Sequence, residues 1–257
     1  MATRNSTPHT RGAAADRASI IQAQPDYYTP DALRAPGWLA RQPMIGVILF
    51  ALGSLAFAYI AYNIVSQGPL VRLDMSLYKQ LYASASHAPG WMIEWTTFGF
   101  FWGKEMIQVI VVILGLYFLH KRFWTELAML LIGSIGGSLI WHFFNVWFQR
   151  PRPPAQLGIV VTNPSFPSGH TSSAVLCYGF LAYFLIPLMP SRFWKGFVIV
   201  TALLIIAFCG FSRVFLGGHY LTDVLGGYAL GTAWAGFAYT VIERFSIQRR
   251  MNHAKKR

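Results

Sequence analysis

Charge is scarce in this sequence. Asp, Glu, Lys and Arg together make up 12% of the 257 residues, about half of what an ordinary soluble domain carries. A water-facing surface of that size needs more, which excludes an ordinary soluble domain. Acidic residues are the scarcest, nine against 21 Lys and Arg, for a formal charge of +12. Cysteine is almost absent. Cys177 and Cys209 both lie inside apolar runs, which excludes a disulfide framework and the spacing of a cysteine metal site. The first thirty residues have no apolar h-region, so the N-terminus does not read as a cleaved signal peptide. Collagen-like periodicity is missing, and so is the overall polar composition of a disordered chain.

What the chain has in abundance is apolar sequence: 54% hydrophobic residues and a mean hydropathy of +0.43. Six runs fall at 44–66, 98–120, 124–147, 171–188, 194–211 and 222–242. Crossing the hydrocarbon of a bilayer takes about 20 helical residues, and the start of the second run is set by that requirement. Trp38, Trp91, Trp102, Trp124, Trp147 and Trp194 stand near the ends of runs, as in interfacial belts. The expected fold is therefore all-α, a polytopic membrane protein of six transmembrane helices. Residues 1–43 are polar and basic and read as a mostly disordered tail, with a short interfacial piece near Tyr27–Trp38; 44–243 form the membrane domain; 244–257 form a basic C-terminal tail.

Basic residues divide unevenly across these six runs. One side holds 15 Lys and Arg, including both tails; the other holds six: Arg72, Lys79, Lys104, Arg150, Arg152 and Arg213. The positive-inside rule puts both termini in the cytoplasm. The positive charge thus reports topology and contact with anionic membrane lipid, and no nucleic-acid partner is expected. Leu73–Leu81 has partial helical periodicity and reads as an interfacial helix on the outer side. Gly133–Gly137 and Gly227–Gly231 are small-residue patterns that suit close helix packing.

The six outer cations need a reason. Residues 149–170 and 212–223 bring Arg150, Arg152, Ser168, His170, Ser212, Arg213, His219 and Asp223 to one membrane face. Arginine forks match phosphate oxygens. Free N–H groups at a helix start, with Gly169 permitting close approach and Ser168 adding a hydroxyl, suit an anion. His219 and Asp223, four apart, share a helix face, so the carboxylate can hold one imidazole nitrogen and leave the other as nucleophile or base. His170 is a second imidazole, able to protonate a leaving oxygen. Two histidines, two arginines and a helix start would make a phosphoryl-transfer site that needs no metal, and no cofactor is expected.

Arg152-Pro153, Pro167-Ser168-Gly169-His170 and Ser212-Arg213-x5-His219-x3-Asp223 resemble the three-part signature of the type 2 phosphatidic acid phosphatase (PAP2) superfamily. The resemblance implies a PAP2-like helical bundle and a membrane lipid phosphatase. It implies His219 as the nucleophile that becomes phosphohistidine, Asp223 as its orienting partner and His170 as the general acid. Arg152, Ser168, Gly169 and Arg213 would bind the phosphoryl group. One position departs: where the family's first motif opens with lysine, this chain has Asn145. Arg150 and Lys104 are candidate auxiliary cations for the missing charge, although Lys104, about three residues inside the end of its run and beside Glu105, also suits snorkelling.

The expected activity is hydrolysis of a lipid phosphate or diphosphate at the outer face of the cytoplasmic membrane. Isoprenyl diphosphate, phosphatidylglycerol phosphate and phosphatidic acid all fit, and an outward site favours the first. A phosphotransferase would use the same residues with an acceptor alcohol in place of water. An anion or lipid transporter is disfavoured by the absence of charge at span centres and of inverted repeats. A vanadium haloperoxidase is disfavoured by the membrane embedding.

Overall fold

A computed structural model describes residues 43–103, 105–154 and 163–254. The expectations for residues 1–42, for Lys104 and for the last three residues lie outside this range. Among the described residues all regular structure is helical. In chain order the helices are α1 (Pro43–Val65), α2 (Pro69–Ser86), α3 (Gly90–Gly103), α4 (Glu105–His120), α5 (Trp124–Leu131), α6 (Gly137–Phe148), α7 (Gly169–Leu185), α8 (Arg192–Phe215) and α9 (Leu221–Ala254). A single π-helical segment, Ile132–Gly136, joins α5 to α6 without a break.

Among the described residues, four segments, rather than the six expected, are long and apolar enough to cross a membrane: Met44–Val65, Trp124–Phe148, Gly169–Leu188 and Arg192–Phe215. The expected second crossing is divided between α3 and α4, on either side of residue 104, and α4 has only 16 residues. The expected sixth lies in α9, which has 34 residues. Its Gly226, Gly227, Gly231 and Gly236 and its threonines dilute its hydropathy. That composition follows from its position, since α9 packs along α1 and α7 and needs little apolar surface for lipid. A Cβ on Gly236 would stand 2.5 Å from the Gly46 carbonyl and the Phe50 nitrogen, and one on Gly53 would stand 2.5 Å from the Ala233 nitrogen. Backbones so close leave room for hydrogen only.

The outward faces are apolar. Leu52, Leu55, Tyr62, Val65, Leu139, Leu203 and Leu204 are all exposed, which on a soluble protein would be an aggregation surface. Here they are a lipid-facing surface. α2 differs. Leu73 and Met75 are exposed on it, while Asp74, Tyr78 and Ala85 are buried, so it lies against the bundle by one polar and aromatic face. The π segment brings the Ile132 carbonyl to Trp234 Nε1 at 2.9 Å. Both glycine patterns serve packing: Gly133 faces Phe180, Gly136 faces Trp234, and Gly227 faces Thr171 and the Ser168 carbonyl.

Candidate active site

Three chain segments meet at one end of the bundle. The first is the stretch after α6 that leads into α7. Phe166 is fully buried, stacked on Phe57 and edge-on to Phe148. Asn145 on α6 is buried, and its Nδ2 donates to the Pro164 carbonyl at 2.9 Å and the Phe166 carbonyl at 3.2 Å. Trp141 Nε1 donates to the Pro167 carbonyl at 2.9 Å. These contacts fix the approach to α7, whose N-cap is Ser168. The Ser168 N–H donates to the Asp223 carbonyl at 2.9 Å, and among the described residues its buried hydroxyl finds no hydrogen-bond partner. Gly169 is hemmed in by Trp141, whose indole would stand 2.7 Å from a Cβ there.

The second and third segments are the end of α8 and the start of α9. The Arg213 carbonyl accepts from the N–H groups of Gly218 at 3.0 Å and His219 at 3.1 Å, which folds the connection back on itself. Gly217 supplies the left-handed backbone (φ 70°) that this turn requires. Arg213 is buried, with Nε and Nη2 donating to Ser212 Oγ at 3.3 and 3.2 Å.

His219 is 3% exposed and lies between opposite charges. Its Nδ1 stands 3.5 Å from Asp223 Oδ2. Its Nε2 stands 3.1 Å from Arg152 Nη1. Arginine only donates, so Nε2 accepts and the ring proton belongs on Nδ1, toward the carboxylate. Burial holds the His219 imidazolium below the ordinary histidine range, and Arg152 and Arg213 push the same way against the pull of Asp223. Arg152 is anchored by the Asn163 carbonyl at 2.7 Å, Asn163 Oδ1 at 2.8 Å and the Gly218 carbonyl at 2.6 Å.

Of the expected residues, Arg152, Gly169, His170 and His219 line one cavity of about 580 Å³. Asp223 lies behind His219, and Ser168 and Arg213 are buried beside it. The cavity continues along α4, the π segment and α7, past Ile107, Val111, Leu130, Leu176 and Phe180. It carries its charged groups at one end and is mostly apolar beyond them, with Gln108, Ser134, Ser138 and Ser173 interspersed.

Two of the auxiliary candidates, Asn145 and Arg150, are placed elsewhere. Asn145 spends its amide on backbone carbonyls. Arg150 turns away from the cavity: Nη1 donates to Thr222 Oγ1 at 2.7 Å and Asp223 Oδ1 at 2.5 Å, and Nη2 to Asp74 Oδ2 at 2.8 Å. Those two carboxylates raise its pKa above the ordinary value, although burial opposes them. Lys104 lies outside the described residues. Sequence reasoning missed Asp74, Thr222 and Asn163. The available signal for Asp74 was an acid, in a chain with nine, on the buried face of an interfacial helix.

Fold and site together define an integral membrane protein with a histidine–arginine centre at the head of an apolar cavity. The sequence profile of the PAP2 superfamily matches residues 122–247. The crystal structure of a transmembrane PAP2-type phosphatidylglycerolphosphate phosphatase from Bacillus subtilis superposes with a TM-score of 0.63 at 30% identity, covering 79% of this chain and 96% of that one. Phosphatidylglycerophosphatase B of Bacillus subtilis (strain 168) is 37% identical over 128 residues, 49% of this chain and 62% of that protein. Lipid A 4'-phosphatase of Porphyromonas gingivalis is 28% identical over 162 residues, 56% of this chain and 65% of that protein. Both of these matches cover less than two thirds of the relative's length. This chain belongs to the PAP2 superfamily.

Proposed function

We propose that the protein is a membrane lipid phosphatase that works through a phosphohistidine at His219. The observation that carries this reading is the pair of contacts on one imidazole, Asp223 behind Nδ1 and Arg152 before Nε2, at the head of a cavity suited to an acyl or prenyl chain. The phosphoryl group would enter between Arg152 and His219, and its oxygens would take over donors from Arg152, Arg213, Ser168 Oγ and the Gly169 N–H. His219 Nε2 attacks phosphorus. The N–P bond forms as the P–O bond to the lipid breaks, and His170 gives its proton to the departing oxygen. Water then attacks the phosphohistidine, His170 takes the water proton, the N–P bond breaks and inorganic phosphate leaves.

The proposed topology has six crossings within 44–243, both termini in the cytoplasm and the site outside. The uneven distribution of basic residues supports it, as does the placement of all site segments at one end of the bundle. Among substrates we favour phosphatidylglycerol phosphate. A curated relative and a solved structure, both from Bacillus subtilis, are named for that activity, and two site arginines suit one phosphoryl group better than a diphosphate. Isoprenyl diphosphate is the second reading, supported by the outward site.

The test is phosphate release by purified protein in detergent with excess EDTA. The panel is phosphatidylglycerol phosphate, phosphatidic acid and undecaprenyl diphosphate, with His219→Ala as the blank. We expect release that persists in EDTA and is lost in the variant. Release that requires a divalent ion, or that survives in His219→Ala, would overturn the mechanism. Release only with an added acceptor alcohol would make the enzyme a phosphotransferase.

A further inference from the structure

Asp74 is 1% exposed on α2, where the neighbouring positions Leu73 and Met75 face outward. Its Oδ1 accepts from the Thr222 N–H at 2.9 Å. Its Oδ2 accepts from Arg150 Nη2 at 2.8 Å and, in a short contact, from the Thr222 hydroxyl. Arg150 then continues to Asp223 Oδ1 at 2.5 Å, with its guanidinium 4.5 Å over the Tyr220 ring. Asp223 completes the path: its Oδ2 accepts from the Tyr220 N–H at 2.9 Å and faces His219 Nδ1 at 3.5 Å.

We propose that Asp74 is a positioning residue for phosphoryl transfer: through Arg150 and Thr222 it fixes Asp223, and thereby holds His219 with its proton on Nδ1 and its lone pair on Nε2. This rests on the reading of His219 as nucleophile. Capping α9 would account for Oδ1 alone, since one exposed N–H at a helix start needs one acceptor. It does not account for Oδ2. Arg150 has two forked nitrogens and two carboxylates to satisfy. With Asp74 in place, Arg150 gives one nitrogen to each, and Asp223 keeps Oδ2 for the imidazole. Without Asp74, both nitrogens are free to clamp Asp223 in the bidentate manner that arginine favours, which draws Oδ2 away from a contact already long at 3.5 Å.

The charges act in the same direction. Two carboxylates share one guanidinium, so the cluster presents a net negative charge behind an imidazole that becomes cationic when phosphorylated. Neutralising Asp74 removes it. All members are buried, where such interactions are strong. Other groups around the cluster are Tyr78 on α2, Tyr220, Arg152 and Arg213.

The experiment uses the full chain in detergent with ¹⁵N-labelled histidine. The His219 signal is assigned by its loss in His219→Gln, and its nitrogen shifts report the tautomer. Asp74→Asn and Arg150→Lys are compared with the wild type for tautomer, kcat and KM. We expect a single Nδ1–H form in the wild type and a mixture in each variant. We also expect kcat to fall about 30-fold with KM within about threefold, inside the roughly 10–100-fold range for removing an outer partner that orients an imidazole. The double variant should cost no more than the worse single. A purely structural Asp74 would lower the thermal midpoint while leaving tautomer and kcat per folded enzyme unchanged, and that result overturns the proposal. Where Asp74→Asn fails to fold, Arg150→Lys decides, because an unchanged tautomer there is equally fatal. A tautomer that responds in a wild type releasing no phosphate would sink the phosphatase reading and leave the network standing.

Discussion

In the proposed mechanism His219 must be neutral to attack phosphorus, and its surroundings favour the neutral form. Burial and the two neighbouring arginines depress its pKa against the pull of Asp223. The free enzyme therefore keeps its nucleophile at pH values where an ordinary histidine, near about 6.5, is already protonated. The acid limb of kcat/KM should fall below that value. A limb at or above it, in a pH series on the preferred lipid, would contradict the role of burial. Asn145 makes a different prediction. It serves as a double donor to the carbonyls of Pro164 and Phe166. Asn145→Ala removes both donations, leaving the Pro164 carbonyl only the long contact from Arg152 Nη2 at 3.5 Å, and should cost about 1–3 kcal/mol of stability. Asn145→Lys keeps donors at that position and should retain most of the activity. Unfolding midpoints and phosphate release on both variants check this, and equal damage from Ala and Lys would refute the donor account.

Helices α7 and α9 are held at the distance the site requires by what is missing between them. A Cβ on Gly227 would stand 1.9 Å from Thr171 Oγ1 and 2.5 Å from the Ser168 carbonyl. Gly227→Ala must therefore push α7 away and carry Ser168 with it. The expected cost is about 1–3 kcal/mol, with a larger proportional loss of kcat than the same change at Gly90, where a Cβ meets nothing within 4 Å. Equal kcat in the two variants would show that α7 can yield without moving the site. The small-residue pattern was legible in the sequence because packing leaves a composition behind. So were His219, Asp223 and the arginines, whose chemistry is rare in an apolar chain and whose spacing is short. Asp74 was not, because its partner Thr222 lies 148 positions away, and its local mark, a scarce acid on an interfacial helix, does not say what it contacts. Arg150 was legible as an outer cation but not in its direction, which depends on that same carboxylate. The second and sixth crossings were read by length and hydropathy, and α9 departs from that rule because its lipid-facing surface is small.

The proposed orientation of the bundle can be tested with single added cysteines. Cys177 and Cys209 are both buried, so an added cysteine reports alone. Ser84 on α2 and Lys121 between α4 and α5 are exposed at positions assigned to opposite sides of the membrane. Ser84→Cys should react with an impermeant maleimide in intact cells, and Lys121→Cys only after lysis. The reverse pattern would invert the topology and turn the site toward the cytoplasm.

In the proposed reaction, a mostly apolar cavity that ends at arginine and histidine sorts the two products. The dephosphorylated lipid would return to the bilayer, and inorganic phosphate would depart into water. The two products enter different phases and seldom meet again at the site. Reversal then depends on the aqueous phosphate concentration on one side of the membrane, so the environment facing the site, more than the amount of lipid product, sets how far hydrolysis runs.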